Sequence, residues 1–194
     1  MATLMATLPR PMNRLETRLP GLVLLEPAVY GDARGFFSET YRENVWAEHG
    51  VRERFVQDNH SRSRLGTLRG MHFQTEPGQA KLIRCARGRI LDVVVDLRRE
   101  HGTFGEYETA ELDDESMRQL FIPVGFAHGF LVLSEEADVV YKCSSYYDGA
   151  TESQIAYDDP DLALPWPADV DILVSDRDRE APRLADVADD LPFS

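Results

Sequence analysis

Residues 69–84 read RGMHFQTEPGQAKLIR and place a histidine and a lysine on either side of a turn sequence. The Pro-Gly pair in the middle is typical of a tight turn, and apolar residues flank it on both sides. With a loop over residues 75–78, His72 pairs with Lys81 across a predicted hairpin. Paired residues share one face of a sheet about 5 Å apart. With this pairing, a base and a cation point to the same side of the hairpin. A register shift of one residue would place them on opposite faces.

A histidine beside a lysine suits the removal of a proton next to a carbonyl group. A neutral imidazole accepts the proton, and an ammonium group stabilises the enolate oxygen that forms. For His72 taken alone, a structural role within its strand stays open and is the commoner one. The elements around these two residues must therefore decide between the two interpretations.

The composition limits the classes of function. The chain has 194 residues, which is one domain of ordinary size, and its 43% hydrophobic content is enough for a packed core. With 21 Lys and Arg against 34 Asp and Glu, the net charge of −13 repels nucleic acid. Any phosphate group that binds here must be held by a local cluster of arginine and lysine side chains.

Cysteine usage and hydropathy indicate the compartment. Cys85 and Cys143 each lie in an apolar, strand-like run, which predicts two buried thiols and not a disulfide scaffold. No apolar run approaches the length of a membrane span, and the start of the chain lacks the pattern of a signal peptide. We therefore predict a cytoplasmic protein.

The chain is dominated by short alternating runs separated by Gly, Pro, Asp and Asn, which predicts an all-β antiparallel sandwich or barrel. The clearest helix is predicted over residues 38–49, ending at Gly50. We expect one domain over residues 21–194, with an irregular wrap after Asp148, and an extension over residues 1–20 whose composition is compatible with disorder. The predicted strand runs are GLVLLEPAVY, TLRGMHF, AKLIRCA, GRILDVVVDLR, GEYETAEL, QLFIPVG, HGFLVLS and ADVVYKCSS.

The run GRILDVVVDLR carries two aspartates on the same face as Ile90 and Val94. Asp92 and Asp96 could face an interior cavity, but solvent or a salt bridge is the more frequent environment for charged strand residues. We interpret both aspartates as structural.

Residues 123–128, PVGFAH, have the Pro-x-Gly-x-x-His spacing that marks the second motif of cupin jelly rolls. The first cupin motif would supply His-x-His and a glutamate as metal ligands, but Gln74 stands in place of the second histidine. Two histidines from two strands make a weak metal site without carboxylate support. We therefore predict a cupin-like jelly-roll barrel that needs no metal and no other cofactor; bound zinc or iron stays a minor alternative.

Eight segments occur in an order that strongly resembles the dTDP-4-dehydrorhamnose 3,5-epimerase family, from about residue 22 to residue 182. No single segment would be specific, whereas the complete array is. The segments are DARGFFSE (32–39), FVQDNHSRS (55–63), LRGMHFQ (68–74), QAKLI (79–83), DVVVDLR (92–98), GFAHGF (125–130), VVYKCSSYY (139–147) and SDRD (175–178).

The resemblance implies a role for each matching residue. His72 matches the general base and Asp178 the carboxylate that orients it. Lys81 matches the lysine at the C4 oxygen of the sugar, and Tyr141 the acid that returns a proton from the far side. It also implies a homodimer in which Arg34 and Glu39 reach across the two-fold interface. The matching substrate-binding residues are Arg34, Glu39, Gln57, Asn59, Arg69, Lys81, His128, Glu152 and Arg177.

Several of these residues have a simpler interpretation. Tyr141 could be a core residue with a buried hydroxyl, and His128 could form a hydrogen bond within the barrel. Arg34 could be a turn residue paired with Asp32. Asp178 could lie on the surface of an acidic tail.

The resemblance implies epimerisation of dTDP-4-dehydro-6-deoxy-D-glucose at C3 and C5 to dTDP-4-dehydro-L-rhamnose, in dTDP-L-rhamnose biosynthesis. The loop YYDGATE lacks the proline that the family usually carries before its glutamate, which makes the number of inverted carbons the least secure inference. The alternatives are a single-centre epimerase or ketoisomerase on a related dTDP-4-keto sugar, and a non-catalytic cupin that binds sugar nucleotides. A metal-dependent cupin oxygenase is disfavoured by Gln74.

Overall fold

The computed structural model describes residues 12–193, which form short strands and a few helical turns. The helical elements are α1 (Glu43–Glu48), α2 (Asp176–Arg179), α3 (Leu184–Val187) and a 3₁₀ turn over Ala188–Asp190. The strands are β1 (Asn13–Leu15), β2 (Val23–Glu26), β3 (Val29–Asp32), β4 (Gly35–Ser38), β5 (Gln57–Arg64), β6 (Leu68–Gln74), β7 (Lys81–Arg87), β8 (Arg89–Asp96), β9 (Tyr107–Asp113), β10 (Gln119–Ile122), β11 (Phe126–Val132), β12 (Glu136–Cys143) and β13 (Glu152–Gln154).

The strands build two antiparallel sheets and a separate hairpin. The six-stranded sheet has the order β1-β2-β10-β7-β12-β5, and the five-stranded sheet has the order β13-β6-β11-β8-β9. Within the described residues 12–193, strands β3 and β4 pair only with each other. The predicted all-β, cupin-like jelly roll is confirmed.

The main core lies between the two sheets. Side chains alternate between the two faces of a strand, so every second residue of β11 and β8 points inward. Phe126 and Phe130 pack in this space against Ile83 and Val139 of the six-stranded sheet. Toward one end of the same interior, histidine, lysine and tyrosine side chains occupy inward positions, and these positions form the candidate site.

Each sheet also has a covered outer face. The segment that ends the chain lays Leu184, Leu191 and Phe193 on the outer face of the five-stranded sheet, beside Val93 and Val95. The elements that follow β13 within residues 155–193 are α2, α3 and the 3₁₀ turn. On the six-stranded sheet, helix α1 presents its one buried residue, Trp46, to the outer face. Both sheets are therefore covered by apolar contacts on their outer faces as well.

The predicted hairpin pairing of His72 with Lys81 is wrong. Strand β6 lies in the five-stranded sheet, where His72 pairs with His128. Strand β7 lies in the six-stranded sheet, where Lys81 pairs with Ile122. The connection over residues 75–80 crosses between the sheets, because each strand finds its hydrogen-bonding partners within its own sheet. The two side chains therefore lie on opposite walls of the interior.

Other boundaries also differ from the prediction, and strands β4 and β13 do not occur in the predicted runs. The helix begins at Glu43 and not at residue 38, because Ser38 ends β4. Strand β5 is absent from the predicted runs. Within the extension predicted over residues 1–20, Asn13–Leu15 forms β1 and pairs with β2, while residues 1–11 lie outside the described part of the chain.

The two thiols behave as predicted, since Cys85 and Cys143 are both free and buried. Among residues 12–193, no helix is long and apolar enough to cross a membrane.

Candidate functional site

Two histidine–aspartate pairs lie side by side on the inner face of the five-stranded sheet. His128 is two residues from Phe126 and therefore shares its inward face, and His72 lies directly opposite His128 in the register. The Nε2 atom of His72 is 2.6 Å from Oδ1 of Asp178, and the Nε2 atom of His128 is 2.8 Å from Oδ2 of Asp92. The sheet thus brings two imidazole rings together, each with its own carboxylate.

A β-bulge brings a cation to the same wall. The register of β6 against β11 shifts between His128 and Phe130, so Arg69 pairs with Phe130 and turns inward together with His72. Such a bulge redirects a side chain that simple alternation would send to the other face. Arg69 donates a hydrogen bond from Nε to the hydroxyl of Ser63, 3.1 Å away on β5. A guanidinium group and an imidazole therefore face one space although they are three residues apart.

Asp178 is a buried residue on α2, with only 4% of its surface exposed. Ser175 caps this helix by accepting a hydrogen bond from the Asp178 backbone amide. Burial alone would raise the pKa of Asp178, but hydrogen bonds from His72, Ser175 and the Gly70 backbone bring it below its ordinary value. A charged carboxylate at Nε2 holds the neutral ring of His72 in its Nε2–H tautomer. The lone pair of His72 that can accept a proton is then on Nδ1.

Lys81 and Tyr141 line the opposite wall, on the six-stranded sheet. Lys81 is two residues from Ile83, and Tyr141 packs against the same inner core. Burial lowers the pKa of Lys81, although Cys143 and two nearby carboxylates favour its charged form. Burial also raises the pKa of Tyr141, with an opposing hydrogen bond from Asn59. A protonated phenol and the amino group of Lys81 therefore face the two histidines from across the barrel.

The rim of the interior carries further polar residues. The carboxylate of Glu152 accepts hydrogen bonds from the hydroxyl of Tyr147, at 3.0 Å, and from the guanidinium of Arg177. Gln57 donates to the side-chain oxygen of Asn59 at 3.0 Å and accepts from the backbone amide of Tyr147. Sequence reasoning did not identify Tyr147, and the exposed aromatic pair at residues 146 and 147 was the available signal.

Two predicted binding residues lie apart from this cluster. Arg34 is on the exposed turn between β3 and β4, where its guanidinium binds the carboxylate of Asp32. This is the turn pairing that the sequence left open. Glu39 follows the same hairpin and pairs with Arg42. Within one chain, neither residue contacts the polar groups of the barrel interior.

Gln74 occupies the position of the second ligand in the cupin metal motif. Its amide group donates a hydrogen bond to the hydroxyl of Thr151 and accepts one from Gln79. Among residues 12–193, no three histidine, cysteine or carboxylate side chains are gathered closely enough to hold a metal ion.

The combined geometry suits proton transfer on both faces of one ring-shaped substrate. An oriented imidazole stands on one wall, a phenol stands on the other, and an ammonium group can stabilise a developing negative charge between them. The sequence model described as dTDP-4-dehydrorhamnose 3,5-epimerase matches residues 16–186. The chain belongs to this family. Its class as an isomerase follows from that membership.

Individual relatives of the family agree over most of the chain. A dTDP-4-dehydrorhamnose 3,5-epimerase from Methanothermobacter thermautotrophicus is 49% identical over 167 residues, which cover 85% of this chain and 90% of the relative. The structure of a dTDP-6-deoxy-D-glucose-3,5-epimerase from Legionella pneumophila, in complex with dTDP-4-keto-L-rhamnose, superposes with a TM-score of 0.91. It is 44% identical and covers 94% of this chain and 98% of that chain.

A family member with a narrower activity is also similar. The structure of a 3'-monoepimerase from Streptomyces bikiniensis, in complex with dTDP-quinovose, has a TM-score of 0.83 and 40% identity. The comparison covers 86% of this chain and 85% of that chain. Family membership alone therefore leaves the number of inverted carbons to be argued from the site.

Proposed function

We propose that this protein inverts C3 and C5 of dTDP-4-dehydro-6-deoxy-D-glucose and yields dTDP-4-dehydro-L-rhamnose, in the dTDP-L-rhamnose pathway. The single observation that carries the proposal is the placement of His72 and Tyr141 on opposite walls of one interior. An inversion requires a proton to leave one face of the sugar ring and another to arrive on the opposite face. The family membership and the relatives named as 3,5-epimerases support the same reaction.

His72 acts as the general base in this mechanism. The C4 ketone acidifies the hydrogens on C3 and C5, and the lone pair on Nδ1 of His72 accepts one proton in each of two successive inversions. Between the two inversions His72 releases its proton to solvent, and Tyr141 takes one up from solvent. The imidazolium that forms is stabilised by the charged Asp178 at 2.6 Å from Nε2. General acid–base catalysis of this kind typically contributes about 10²–10⁴-fold to the rate.

Lys81 stabilises the enolate. Each deprotonation moves negative charge onto the C4 oxygen, and an ammonium group next to that oxygen lowers the energy of the intermediate. A single donor to an oxyanion is worth about 10²–10³-fold in rate. Burial strengthens the interaction because little water competes with the ammonium group.

Tyr141 returns the proton from the other face. Its raised pKa keeps the phenol protonated at neutral pH, which is the form that a general acid needs. The hydrogen bond with Asn59 directs the hydroxyl within the wall of the six-stranded sheet.

The rim binds the nucleotide diphosphate. Because the chain carries a net charge of −13, a diphosphate needs local cations, and Arg69 and Arg177 stand where the barrel opens. His128, Gln57, Asn59 and Glu152 complete the polar lining on the sugar side.

The protein acts as a homodimer in the cytoplasm. The hairpin of β3 and β4 exposes 61% of Phe36 and 69% of Phe37, and neither of its strands pairs with the two large sheets. A partner chain that covers these two rings would remove a large apolar area from water. The same arrangement would bring Arg34 of each chain to the site of the other chain. Two free, buried thiols are consistent with a reducing compartment.

A single-centre epimerase is the second candidate, because the Streptomyces 3'-monoepimerase is 40% identical to this chain over the aligned region. Incubation with dTDP-4-dehydro-6-deoxy-D-glucose in D₂O separates the two reactions, since each deprotonated carbon acquires deuterium. We expect NMR to show deuterium at both C3 and C5, together with the rhamno-configured product.

The outcomes of this experiment are distinct. Deuterium at one carbon only would replace the double epimerase by the single-centre enzyme. Binding of the nucleotide sugar without any deuterium incorporation would overturn catalysis and leave a binding protein.

A further inference from the structure

Strand β13 is a three-residue edge strand that lies beside the pair formed by His72 and Asp178. It pairs with β6 in the five-stranded sheet, and Gln154 lies opposite His72 in the register. The next pair along, Met71 and Ile155, exchanges both backbone hydrogen bonds, at 3.4 and 3.0 Å. Because hydrogen-bonded and non-hydrogen-bonded pairs alternate in an antiparallel ladder, Gln154 and His72 form a non-hydrogen-bonded pair, whose Cα atoms are typically only about 4.5 Å apart. Their side chains therefore leave the same face of the sheet as close neighbours.

The side chain of Gln154 reaches helix α2, which carries Asp178. Its Nε2 atom donates a hydrogen bond to the backbone carbonyl of Arg177, 2.8 Å away. This contact fixes the orientation of the amide, because the reversed amide would set its oxygen against the carbonyl oxygen. In the fixed orientation, Oε1 of Gln154 is buried without a hydrogen-bond partner among residues 12–193, which is unfavourable. The contact that the buried amide does make is the one to α2.

Helix α2 depends on such contacts for its position. It consists of the four residues Asp176–Arg179, and a single helical turn has little stability of its own. Within residues 12–193, Gln154 is the only side chain from outside the segment 175–180 that donates a hydrogen bond to the backbone of α2. Glu152, two residues earlier on β13, binds the guanidinium of Arg177. One short strand therefore holds the base through backbone pairing and holds the helix of its carboxylate through two side chains.

We propose that Gln154 is a positioning residue of the epimerase site: its hydrogen bond to the Arg177 carbonyl fixes α2 where the carboxylate of Asp178 meets Nε2 of His72, at 2.6 Å. Asp178 directly follows the accepting carbonyl in the chain, so a displacement of that carbonyl carries the carboxylate with it. This inference rests on the proposed function, because it assigns His72 as the base. Gln154 acts through Asp178 and exchanges no proton with the sugar.

The variant Gln154→Met tests the proposal, because it keeps the length of the side chain and removes the donor. We expect kcat to fall by about 10–100-fold, since a misplacement of about 1 Å can cost about 10²-fold in rate. In an Asp178→Asn background, the same substitution should lower kcat no further, because the carboxylate that Gln154 positions is then absent. A merely structural role would slow the double variant beyond Asp178→Asn.

A spectroscopic measurement reports the positioning directly. The Nε2 proton of His72 is held against the carboxylate of Asp178, and a charge-assisted hydrogen bond of this kind moves the proton resonance far downfield in ¹H NMR. The variant His72→Asn assigns the resonance by its disappearance. Gln154→Met should weaken or remove the resonance in the folded protein.

Ser153→Ala is the matched control. Ser153 is the neighbouring residue on β13 and pairs with Phe73, so its side chain points to the opposite face of the sheet. Its replacement should leave both kcat and the downfield resonance unchanged. Circular dichroism establishes that each variant is folded before it is measured. If Gln154→Met does not fold, Gln154→Ser removes the same contact with a shorter side chain.

An unchanged kcat or an unchanged resonance in a folded variant without the amide would overturn the role of Gln154. Losses of kcat that multiply in the double variant with Asp178→Asn would do the same, because Gln154 would then act separately from the carboxylate. Failure of the proposed function is recognised separately, since the wild type itself would then incorporate no deuterium from D₂O.

Discussion

His72 and Asp178 are separated by 106 positions in the chain and joined by a hydrogen bond of 2.6 Å. One residue lies in the middle of β6, and the other lies on α2, within the irregular C-terminal segment. The C-terminal wrap therefore has two functions, because it covers the outer face of the five-stranded sheet and also delivers a carboxylate to its inner edge.

The first prediction concerns this pair. His72→Asn should lower kcat by about 10²–10⁴-fold while dTDP binding persists, because the base is lost and the nucleotide contacts remain. Asp178→Asn should also lower kcat, because His72 then lacks the charged carboxylate that holds its ring in the Nε2–H tautomer. Because the two residues act as one unit, the double variant should be no slower than His72→Asn alone. Steady-state kinetics of the three variants measure this non-additivity.

The control for these three variants is Asp176→Asn, on the same helix α2 as Asp178. The side chain of Asp176 is 93% exposed and pairs with Arg179, so its loss should leave kcat unchanged. Additive losses from His72→Asn and Asp178→Asn would mean that the two residues act separately.

The second prediction separates two lysines on the same sheet. Lys81→Met should reduce kcat by about 10²–10³-fold, because the enolate oxygen loses its cation. Lys142 lies on the adjacent strand β12, and its ammonium group is 2.9 Å from the carboxylate of Asp58 on the outer face. Lys142→Met removes this ion pair. It should leave kcat within about two-fold, since surface ion pairs contribute only about 0–1 kcal/mol. Equal losses of kcat in both variants would exclude a specific role for Lys81.

The third prediction concerns the exposed hairpin. If Arg34 serves the site of a partner chain, mixed dimers of Arg34→Met and His72→Asn subunits contain one complete site. Random exchange of subunits should then restore about a quarter of the wild-type activity, because half of the dimers are mixed and each has one intact site of two. Activity is measured after the inactive variants have been mixed and equilibrated.

A mixture that stays inactive, although the subunits exchange, would place Arg34 in its own subunit or outside the reaction. Replacement of Phe36 and Phe37 by serine supplies a control, since it should weaken dimerisation in analytical ultracentrifugation without changing the fold of the barrel.

The fourth prediction is a dependence of stability on pH. The pKa of Asp178 in the folded protein is below the ordinary value of 3.8. Its stabilising contribution is therefore complete above 3.8 and is lost as the pH falls through the folded-state value. The difference in free energy of unfolding between the wild type and Asp178→Asn should shrink as the pH falls below 3.8. Urea unfolding at several pH values measures it, and a difference that grows on acidification would contradict the assignment.

The sequence predicts the sheet class and the inward residues better than it predicts their partners. Alternation of apolar residues identifies strands such as β8 and β11, because one side of each strand must be buried. It fails for β5, whose residues QDNHSRSR are polar on both faces. One face of β5 lines the polar interior and the other meets solvent, so no apolar signal is present.

The assignment of β6 and β7 to different sheets is the second feature that the sequence does not predict. The turn sequence at Pro77 and Gly78 favours a local hairpin, yet the chain crosses to the other sheet there because Lys81 has partners on both β10 and β12. The contact of His72 with Asp178 could not be derived from spacing and was implied only by the family resemblance. Asp92 is a further case, since the sequence analysis favoured solvent or a salt bridge for this strand aspartate and interpreted it as structural, whereas it is fully buried and bound to His128.

Gly70 and Gly129 lie where β6 and β11 approach each other closely, and neither position has room for a side chain. A Cβ atom on Gly70, whose φ is +150°, would meet the Cα of Gly129 at 2.4 Å, and a Cβ on Gly129 would lie 2.7 Å from the sulfur of Met71. The backbones of β6 and β11 lie in close contact at this point, one residue from His128 and two residues from His72 along the chain. A side chain at either glycine should therefore force the two strands apart, and we expect it to displace His72 and His128 together. Attempts to retune one ring independently, by evolution or by engineering, must begin elsewhere.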